Sequence, residues 1–275
     1  MPTALITIAH GRHDHLVRQY EALARSTSPV EIPVIVAMDD PQIAGLPFAG
    51  LSPTVIECGP GNAGLPLARA RNAGATAALE AGAEVLVFLD VDCIPAPGLV
   101  EAYAASASDP LWAGSLLCGP VSYLPPAGPA GYDLDRLAEL AEPHPARPAP
   151  EPGEVIRGDD PALFWSLSFA VTAETWGRIG GFPEVYEGYG AEDTDFAMLA
   201  RAAGIDLAWV GAARAFHQYH PTTTPPVQHL DDIVRNASVY FERWGEWPMS
   251  GWIEQFERRG LVEWTASTLS RVEPR

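Results

Sequence analysis

The chain has 275 residues, of which 47% are hydrophobic, so it can bury a substantial core within one large α/β domain. Its 17 basic and 35 acidic residues give a net charge of −18, which repels nucleic-acid phosphates and anionic membrane surfaces. The sequence contains no apolar run long enough to cross a bilayer and no signal-peptide pattern. We therefore expect a soluble, cytoplasmic protein without a nucleic-acid partner.

The amino-terminal part of the chain alternates predicted strands and helices. The apolar, β-rich runs that predict strands are 4–9, 32–38, 54–58 and 84–89. A segment of helical periodicity separates the first two strands, and a helix is predicted over 65–81 after the glycine-rich turn Gly59–Gly64. This alternation predicts a mostly parallel central sheet flanked by helices, whose ligands bind beyond the carboxyl ends of the strands.

The rest of the chain is less regular. Segment 125–161 is rich in proline, which predicts a long irregular loop. From residue 227 onward the pattern predicts a helical tail rich in tryptophan. The remaining predicted elements are helices over 97–108, 173–179 and 192–203, and strands over 116–124, 163–171, 207–210 and 213–217.

Two aspartates directly follow the predicted buried strand 84–89. Asp90 and Asp92 flank Val91, so on an extended segment their carboxylates point the same way. Two hard oxygen donors at a strand end can hold Mg²⁺ or Mn²⁺ against a diphosphate. The alternative is a turn with solvated aspartates, and the position after a buried strand favours the metal site.

An acidic motif begins the helix predicted over 192–203. Glu192, Asp193 and Asp195 lie in its first turn, where carboxylates complement the positive end of the helix dipole. The full sequence motif from Gly180 to Phe196, GGFPEVYEGYGAEDTDF, is more specific than an acidic first turn. It resembles the motif of β4-galactosyltransferases, chondroitin-polymerase domains and many family 2 glycosyltransferases, which share the GT-A fold.

The resemblance implies roles for individual residues. Asp193 corresponds to the general base, and Glu192 to its partner on the acceptor or metal side. Tyr189 stands where many relatives have tryptophan and would form an apolar wall for a sugar. His217, in the phrase FHQ, corresponds to a histidine that binds the metal together with Asp92. His220 is assigned a structural hydrogen-bonding role instead.

The resemblance also assigns residues to the nucleotide. Asp39 corresponds to a strand-end aspartate that recognises uracil, while the neighbouring Asp40 can instead open an Asp-Pro turn. Arg71, in the phrase ARARNAG, resembles an arginine that meets a pyrimidine carbonyl or a diphosphate oxygen. Asp90 is expected near the ribose or a water on the metal. The alternative for Arg71 is a surface charge.

These correspondences imply a single GT-A domain that transfers a hexosyl group from a nucleotide-diphosphate sugar to a hydroxyl acceptor with inversion. UDP is the favoured nucleotide, and Mn²⁺ or Mg²⁺ the expected cofactor. The expected parts are a nucleotide-sugar-binding half (1–124), the proline-rich loop (125–161), an acceptor and metal half (162–225) and the tail (226–275). The rival hypotheses are a retaining transferase, a nucleotide-sugar-binding domain without turnover, and a nucleotide-sugar hydrolase.

Overall fold

The computed structural model describes residues 1–129 and 131–272. Its strands in chain order are β1 (Thr3–Ala9), β2 (Ile32–Met38), β3 (Thr54–Cys58), β4 (Val85–Leu89), β5 (Cys93–Pro95), β6 (Leu116–Cys118), β7 (Val121–Tyr123), β8 (Glu142–Pro143), β9 (Val155–Gly158), β10 (Ser168–Thr172), β11 (Leu207–Val210), β12 (Ala215–His217), β13 (Val262–Trp264) and β14 (Leu269–Arg271). Its helices are α1 (His13–Leu23), α2 (Leu67–Glu80), α3 (Leu99–Ser108), α4 (Leu137–Leu140), α5 (Ala173–Ile179), α6 (Glu192–Ala202), α7 (Leu230–Trp244) and α8 (Ser250–Arg258).

A central sheet of eight strands has the order β3-β2-β1-β4-β10-β6-β11-β9. The first four strands in this order are parallel to one another, whereas β10 runs antiparallel to both β4 and β6. A smaller sheet has the order β5-β12-β7-β8. The predicted α/β class with a central sheet is confirmed, and the parallel arrangement is concentrated in the amino-terminal half.

Helices cover both faces of the central sheet, which explains why β4 is apolar throughout. Every residue of β4 is buried. Helix α2 packs on one face, and Gly74 allows its close approach, since a Cβ there would lie 2.5 Å from the Ile6 Cγ2 atom. Leu99 and Tyr103 of α3 pack into the core on the other face. This packing fixes the position of the carboxyl end of β4, which Asp90 directly follows.

The strand predicted over 116–124 is instead two strands in different sheets. The chain breaks at Gly119 and Pro120, between β6 of the central sheet and β7 of the smaller sheet. A Cβ on Gly119 would lie 2.0 Å from the Ala213 carbonyl oxygen, so this position has room only for glycine. The prediction of one strand was wrong because the break depends on this long-range contact.

The proline-rich segment is more ordered than a long irregular loop. It contains α4 and the short strands β8 and β9, and β9 pairs with β11 at the edge of the central sheet. The side chains of Leu137 and Arg147 are buried. The strand pairings are long-range, so the local composition could not reveal them.

The tail forms a compact unit after the central domain. Helices α7 and α8 confirm part of the helical prediction, but the last strands form a hairpin of β13 and β14. A separate apolar cluster joins these elements, with Leu230, Ile233, Ile253, Phe256 and Val262 at its centre. Within the described ranges, none of the helices is both long enough and apolar enough to span a membrane.

Candidate active site

The carboxyl end of β4 and the end of β12 meet through strand pairing. Asp92 directly precedes β5, and the antiparallel pairing of β5 with β12 places Cys93 opposite His217. The backbone N–H of Gln218 then donates to the Asp92 carbonyl oxygen at 2.7 Å. The Gln218 side chain is fully buried and accepts a hydrogen bond from Arg18. The pairing therefore holds His217 beside Asp92.

Asp92, His217 and His220 form a candidate metal centre. One ligand atom from each residue lies within 4.8 Å of the other two. His220 lies in this cluster, with its Nε2 3.3 Å from Asp92 Oδ2, and whether it is a metal ligand or a structural hydrogen-bond partner stays a prediction. Its Nδ1 lies 3.4 Å from the Pro221 carbonyl oxygen, which can accept a hydrogen bond from Nδ1–H in the tautomer that leaves Nε2 for a metal. One carboxylate and two imidazoles suit Mn²⁺ better than Mg²⁺.

Two further residues contact Asp92. The His15 Nδ1 lies 2.7 Å from Asp92 Oδ1, and the Arg12 guanidinium lies 3.7 Å from the same oxygen. Burial alone would raise the pKa of Asp92, but the hydrogen bonds from His15 and His220 and the charge of Arg12 lower it below the ordinary aspartate value. Asp92 is therefore ionised, as a metal ligand must be.

One sequence feature indicates that His15 lies near the site. Helix α1 begins soon after β1, and β1 lies beside β4 in parallel, so the residues after both strands share one edge of the sheet. His15 lies in the first turn of α1, at this edge. His15 lies beside Asp92 because β1 pairs with β4. The sequence pattern alone does not specify this order of strands.

Arg71 joins the two acidic motifs. Its Nη2 lies 3.3 Å from Asp90 Oδ1, and its Nη1 lies 3.2 Å from Glu192 Oε1. The guanidinium is buried, and its carbon lies 5.2 Å from the centre of the Phe182 ring. The alternative of a surface charge is therefore wrong. Contact of Arg71 with a nucleotide stays a prediction, because both of its amino groups already face carboxylates.

Asp193 lies half-buried in the first turn of α6. Its Oδ1 accepts hydrogen bonds from the Thr194 backbone N–H at 2.7 Å and from the Thr194 hydroxyl at 3.3 Å. Burial and the neighbouring Glu192 carboxylate raise the pKa of Asp193 to about 7. Glu192 Oε2 is buried and has no hydrogen-bond partner among the described residues. This pair places a carboxyl group of raised pKa next to an unsatisfied hydrogen-bond acceptor.

The tail holds the loop that precedes α6. Gly188 has a φ of 70°, and a Cβ there would lie 2.2 Å from Asp232 Oδ2, so both the conformation and the space require glycine. Asp232 accepts from the Tyr189 N–H at 3.1 Å. Asn236 donates to the carbonyl oxygens of Glu187 and Gly190, each at 3.0 Å. Hydrogen bonds with α7 therefore fix the conformation of the loop that precedes the acidic residues of α6.

Tyr189 lies at the surface of this region. Its ring stacks on His229 with centroids 4.5 Å apart, and the Trp252 ring centroid lies 6.0 Å away. The Tyr189 side chain remains 39% exposed, so one part of it is free to contact a ligand. Tyr189 therefore belongs to an aromatic cluster with side chains of the tail, and its role as a wall for a sugar stays a prediction.

Asp39 and Asp40 separate into two environments at the end of β2. Asp39 is exposed, with a φ of 47°, and its backbone N–H donates to the Cys58 carbonyl oxygen at 2.8 Å. Asp40 accepts from the Gln42 N–H and thereby caps a 3₁₀ turn, as the Asp-Pro alternative predicted. It also contacts His13 Nε2 at 2.8 Å. Uracil recognition by Asp39 stays a prediction.

An ion pair between the buried Asp195 and the partly exposed Arg243 joins α6 to the tail. Asp195 is fully buried, and the Arg243 Nε lies 2.5 Å from its Oδ2. The Tyr186 hydroxyl donates to the same oxygen at 2.6 Å. The third acid of the motif is therefore a structural link between α6 and α7.

We expect Arg243→Met to lower the free energy of unfolding by roughly 3–5 kcal/mol, because it leaves the buried Asp195 carboxylate without its cation. Urea denaturation measures this change. Arg258→Met is the matched control: Arg258 is exposed and 3.8 Å from Glu254, and such surface pairs contribute about 0–1 kcal/mol. Equal, small effects in the two variants would contradict the link.

Part of the chain resembles a known protein family. Residues 162–221 match the family described as the N-terminal domain of galactosyltransferase. The match contains the acidic motif and both histidines of the candidate metal centre. No curated protein sequence matches the chain.

Solved structures show the same fold at low sequence identity. S. aureus TarS 1–349 superposes with a TM-score of 0.56 and 15% identity, covering 79% of this chain and 60% of that one. The same TarS fragment in complex with UDP gives 0.57 and 14%, covering 94% and 77%. GalNAc-T7 with UDP, GalNAc and Mn²⁺ gives 0.56 and 17%, covering 94% and 57%.

These comparisons confirm the predicted fold, which is that of GT-A glycosyltransferases, and support the predicted resemblance. The chain spans 60% of the TarS fragment in the first superposition and 57% of GalNAc-T7. It therefore corresponds to a part of each of these neighbours.

Proposed function

We propose that the chain is a metal-dependent glycosyltransferase that moves a hexosyl group from a UDP-linked sugar to a hydroxyl acceptor with inversion. The observation that carries this proposal is the position of Arg71. It contacts Asp90 of one motif and Glu192 of the other, although these residues are far apart in the sequence. This position supports a single site in which a donor-side metal centre lies next to an acceptor-side carboxylate pair.

The donor set of Asp92, His217 and His220 fits Mn²⁺, and three protein ligands leave coordination positions for diphosphate oxygens. When bound, the metal would neutralise charge on the departing diphosphate. His15 and Arg12 orient the Asp92 carboxylate from the first turn of α1 and from the residue before it. The neighbours crystallised with UDP, with UDP-GlcNAc, and with UDP and Mn²⁺ support this choice of donor and metal.

On the acceptor side, Asp193 would take the proton from the attacking hydroxyl. Its raised pKa suits a base that works near neutral pH. Glu192 Oε2, which has no partner among the described residues, can accept a second hydrogen bond from the acceptor. Tyr189 and His229 would contact the apolar face of a sugar ring. A base in this place supports inversion over retention.

Ligand-dependent thermal stability tests the donor proposal. UDP and UDP-sugars should raise the melting temperature in the presence of Mn²⁺ and not in EDTA, because a ligand that binds only the native state stabilises it by mass action. ADP-sugars and GDP-sugars serve as matched controls for the base. The same shift with all three nucleotides would remove the assignment of UDP, and no shift with any would remove the donor site.

The pH dependence of turnover should follow Asp193. Only the ionised carboxylate can accept a proton, so turnover should fall as the pH decreases through the raised pKa of about 7 and reach a plateau above it. An ordinary aspartate would place this fall near pH 4. The rate is measured at saturating UDP-sugar and Mn²⁺, with UDP affinity followed over the same range. A rate that stays flat down to pH 5 would contradict the role of Asp193.

A further inference from the structure

The proline-rich segment contributes a buried cation that the proposed function does not use. Arg147 is 7% exposed, and its guanidinium carbon lies 5.0 Å from the Trp165 ring centre and 4.9 Å from that of Trp209. Its Nε and Nη1 atoms are buried without a hydrogen-bond partner in residues 1–129 and 131–272. No carboxylate in those ranges lies within ion-pair distance of it.

This arrangement is costly unless something completes it. A buried charge without a counter-ion is strongly unfavourable, and each contact with an indole face returns only part of that cost. The N–H groups of arginine match the oxygens of a carboxylate or a phosphate in a planar, bidentate geometry. In a chain with a net charge of −18, an anionic ligand needs such a local cation.

A series of ring contacts connects Arg147 to the candidate metal centre. The His144 ring packs edge-on against Trp165 with centroids 4.7 Å apart, and the centroid of Tyr123 lies 5.7 Å from that of His144. Tyr123 in turn stacks on His217 at 4.9 Å. The rings of Trp165, His144 and Tyr123 therefore link Arg147 to His217 of the candidate metal centre.

His144 supplies a second donor beside the guanidinium. Its Nδ1 accepts a hydrogen bond from the Ala146 backbone N–H at 3.2 Å, which leaves the proton of the neutral imidazole on Nε2. The turn also includes the Arg147 N–H, which donates to the His144 carbonyl oxygen at 3.1 Å. The backbone thus holds both side chains in one turn.

We propose that Arg147, with His144, recognises a carboxylate or phosphate group on the acceptor, so that the acceptor is an anionic saccharide. This proposal rests on the proposed function, because it places the anion on the acceptor of that reaction. It assigns the proline-rich segment to acceptor specificity. The donor and metal ligands remain as described above.

Binding of matched saccharides tests this proposal. Methyl glucuronoside, methyl glucoside and glucose 6-phosphate are titrated into the full chain saturated with UDP and Mn²⁺, and binding is followed by ligand-observed NMR. The variants are Arg147→Met, which keeps an apolar chain over the indoles, and Arg147→Lys, which keeps the charge. Arg157→Met is the matched control, because Arg157 also packs on an indole, that of Trp112, but is exposed and pairs with Asp206.

We expect the wild type to bind at least one of the two anionic probes roughly tenfold to a hundredfold more tightly than the neutral glucoside, the range of one or two charge-assisted hydrogen bonds. A preference for glucuronoside identifies a carboxylate, and one for glucose 6-phosphate a phosphate. Arg147→Met should abolish the preference, Arg147→Lys should retain part of it, and Arg157→Met should keep it unchanged.

Equal binding of charged and neutral probes by the wild type would overturn the proposal without any variant, even if Arg147→Met failed to fold. A preference that survives in Arg147→Met would overturn it as well. Weaker UDP binding in Arg147→Met would place Arg147 at the donor and also contradict it. Failure of the wild type to bind UDP with Mn²⁺ would instead contradict the proposed function, so the two failures are distinguishable.

Discussion

Asp193→Asn is expected to lower turnover by roughly 10²–10⁴-fold while the protein remains folded and still binds UDP with Mn²⁺. Asparagine keeps an oxygen that can accept the Thr194 N–H, now at 2.7 Å, but it cannot accept the proton of the acceptor hydroxyl. Initial rates at saturating donor measure the loss. Denaturation and UDP titration show that fold and donor site survive.

Asp231→Asn is the matched control for this variant. Asp231 lies in the first turn of α7, and its side chain is 68% exposed, so the same substitution there should leave turnover unchanged. If Asp193→Asn retained the wild-type rate, the base assignment would be wrong, and the argument for inversion would be lost with it.

Removal of any of the three candidate metal ligands is expected to weaken Mn²⁺-dependent UDP binding by roughly a hundredfold or more. Loss of an outer-shell partner of a metal site already costs about 10- to 100-fold, and a direct ligand contributes more. The variants are Asp92→Ala, His217→Ala and His220→Ala. The electron paramagnetic resonance signal of free Mn²⁺ measures metal binding, and calorimetry measures UDP binding.

Two comparisons sharpen this test. His15→Ala removes only the hydrogen bond that orients Asp92, so it should cost less than loss of a ligand, roughly 10- to 100-fold. His229→Ala removes a histidine outside the cluster and should leave Mn²⁺ binding unchanged. Wild-type Mn²⁺ binding in His220→Ala would exclude His220 as a ligand and return it to the structural role.

The parts predictable from sequence were those with a local pattern. The apolar run 84–89 predicted β4 because a strand covered by helices on both faces is apolar at every position. Asp90 and Asp92 follow from it as strand-end residues. The acidic motif could likewise be recognised from the sequence, because its glycines, aromatic residues and acids are close together in the chain.

Other parts of the site depend on pairings between distant segments. His220 joins Asp92 through the pairing of β5 with β12, and His15 does so through the pairing of β1 with β4. Arg71 looked like either a nucleotide ligand or a surface charge, because nothing near it in the sequence shows that two carboxylates converge on it. The burial of Arg147 could not be predicted for the same reason, because the indoles that it packs against, those of Trp165 and Trp209, lie outside the proline-rich segment.

The tail shows a related limit. Its helical pattern was readable, but its contacts with the acidic motif were not. Asp232 and Asn236 meet the loop around Gly188 only because α7 packs across it, and Arg243 reaches Asp195 from the end of the same helix. Such contacts depend on tertiary packing, which the periodicity of a single helix does not predict.

Product analysis tests the central claim most directly. The protein is incubated with a UDP-hexose panel, Mn²⁺ and a pool of neutral and anionic saccharides, and the products are separated and identified by mass spectrometry. The account predicts UDP together with a saccharide extended by one hexosyl group, with Mn²⁺ and not in EDTA. Free hexose released equally with and without saccharides would indicate a hydrolase, and a donor that binds but is recovered intact would indicate a binding domain. Either result would contradict transfer.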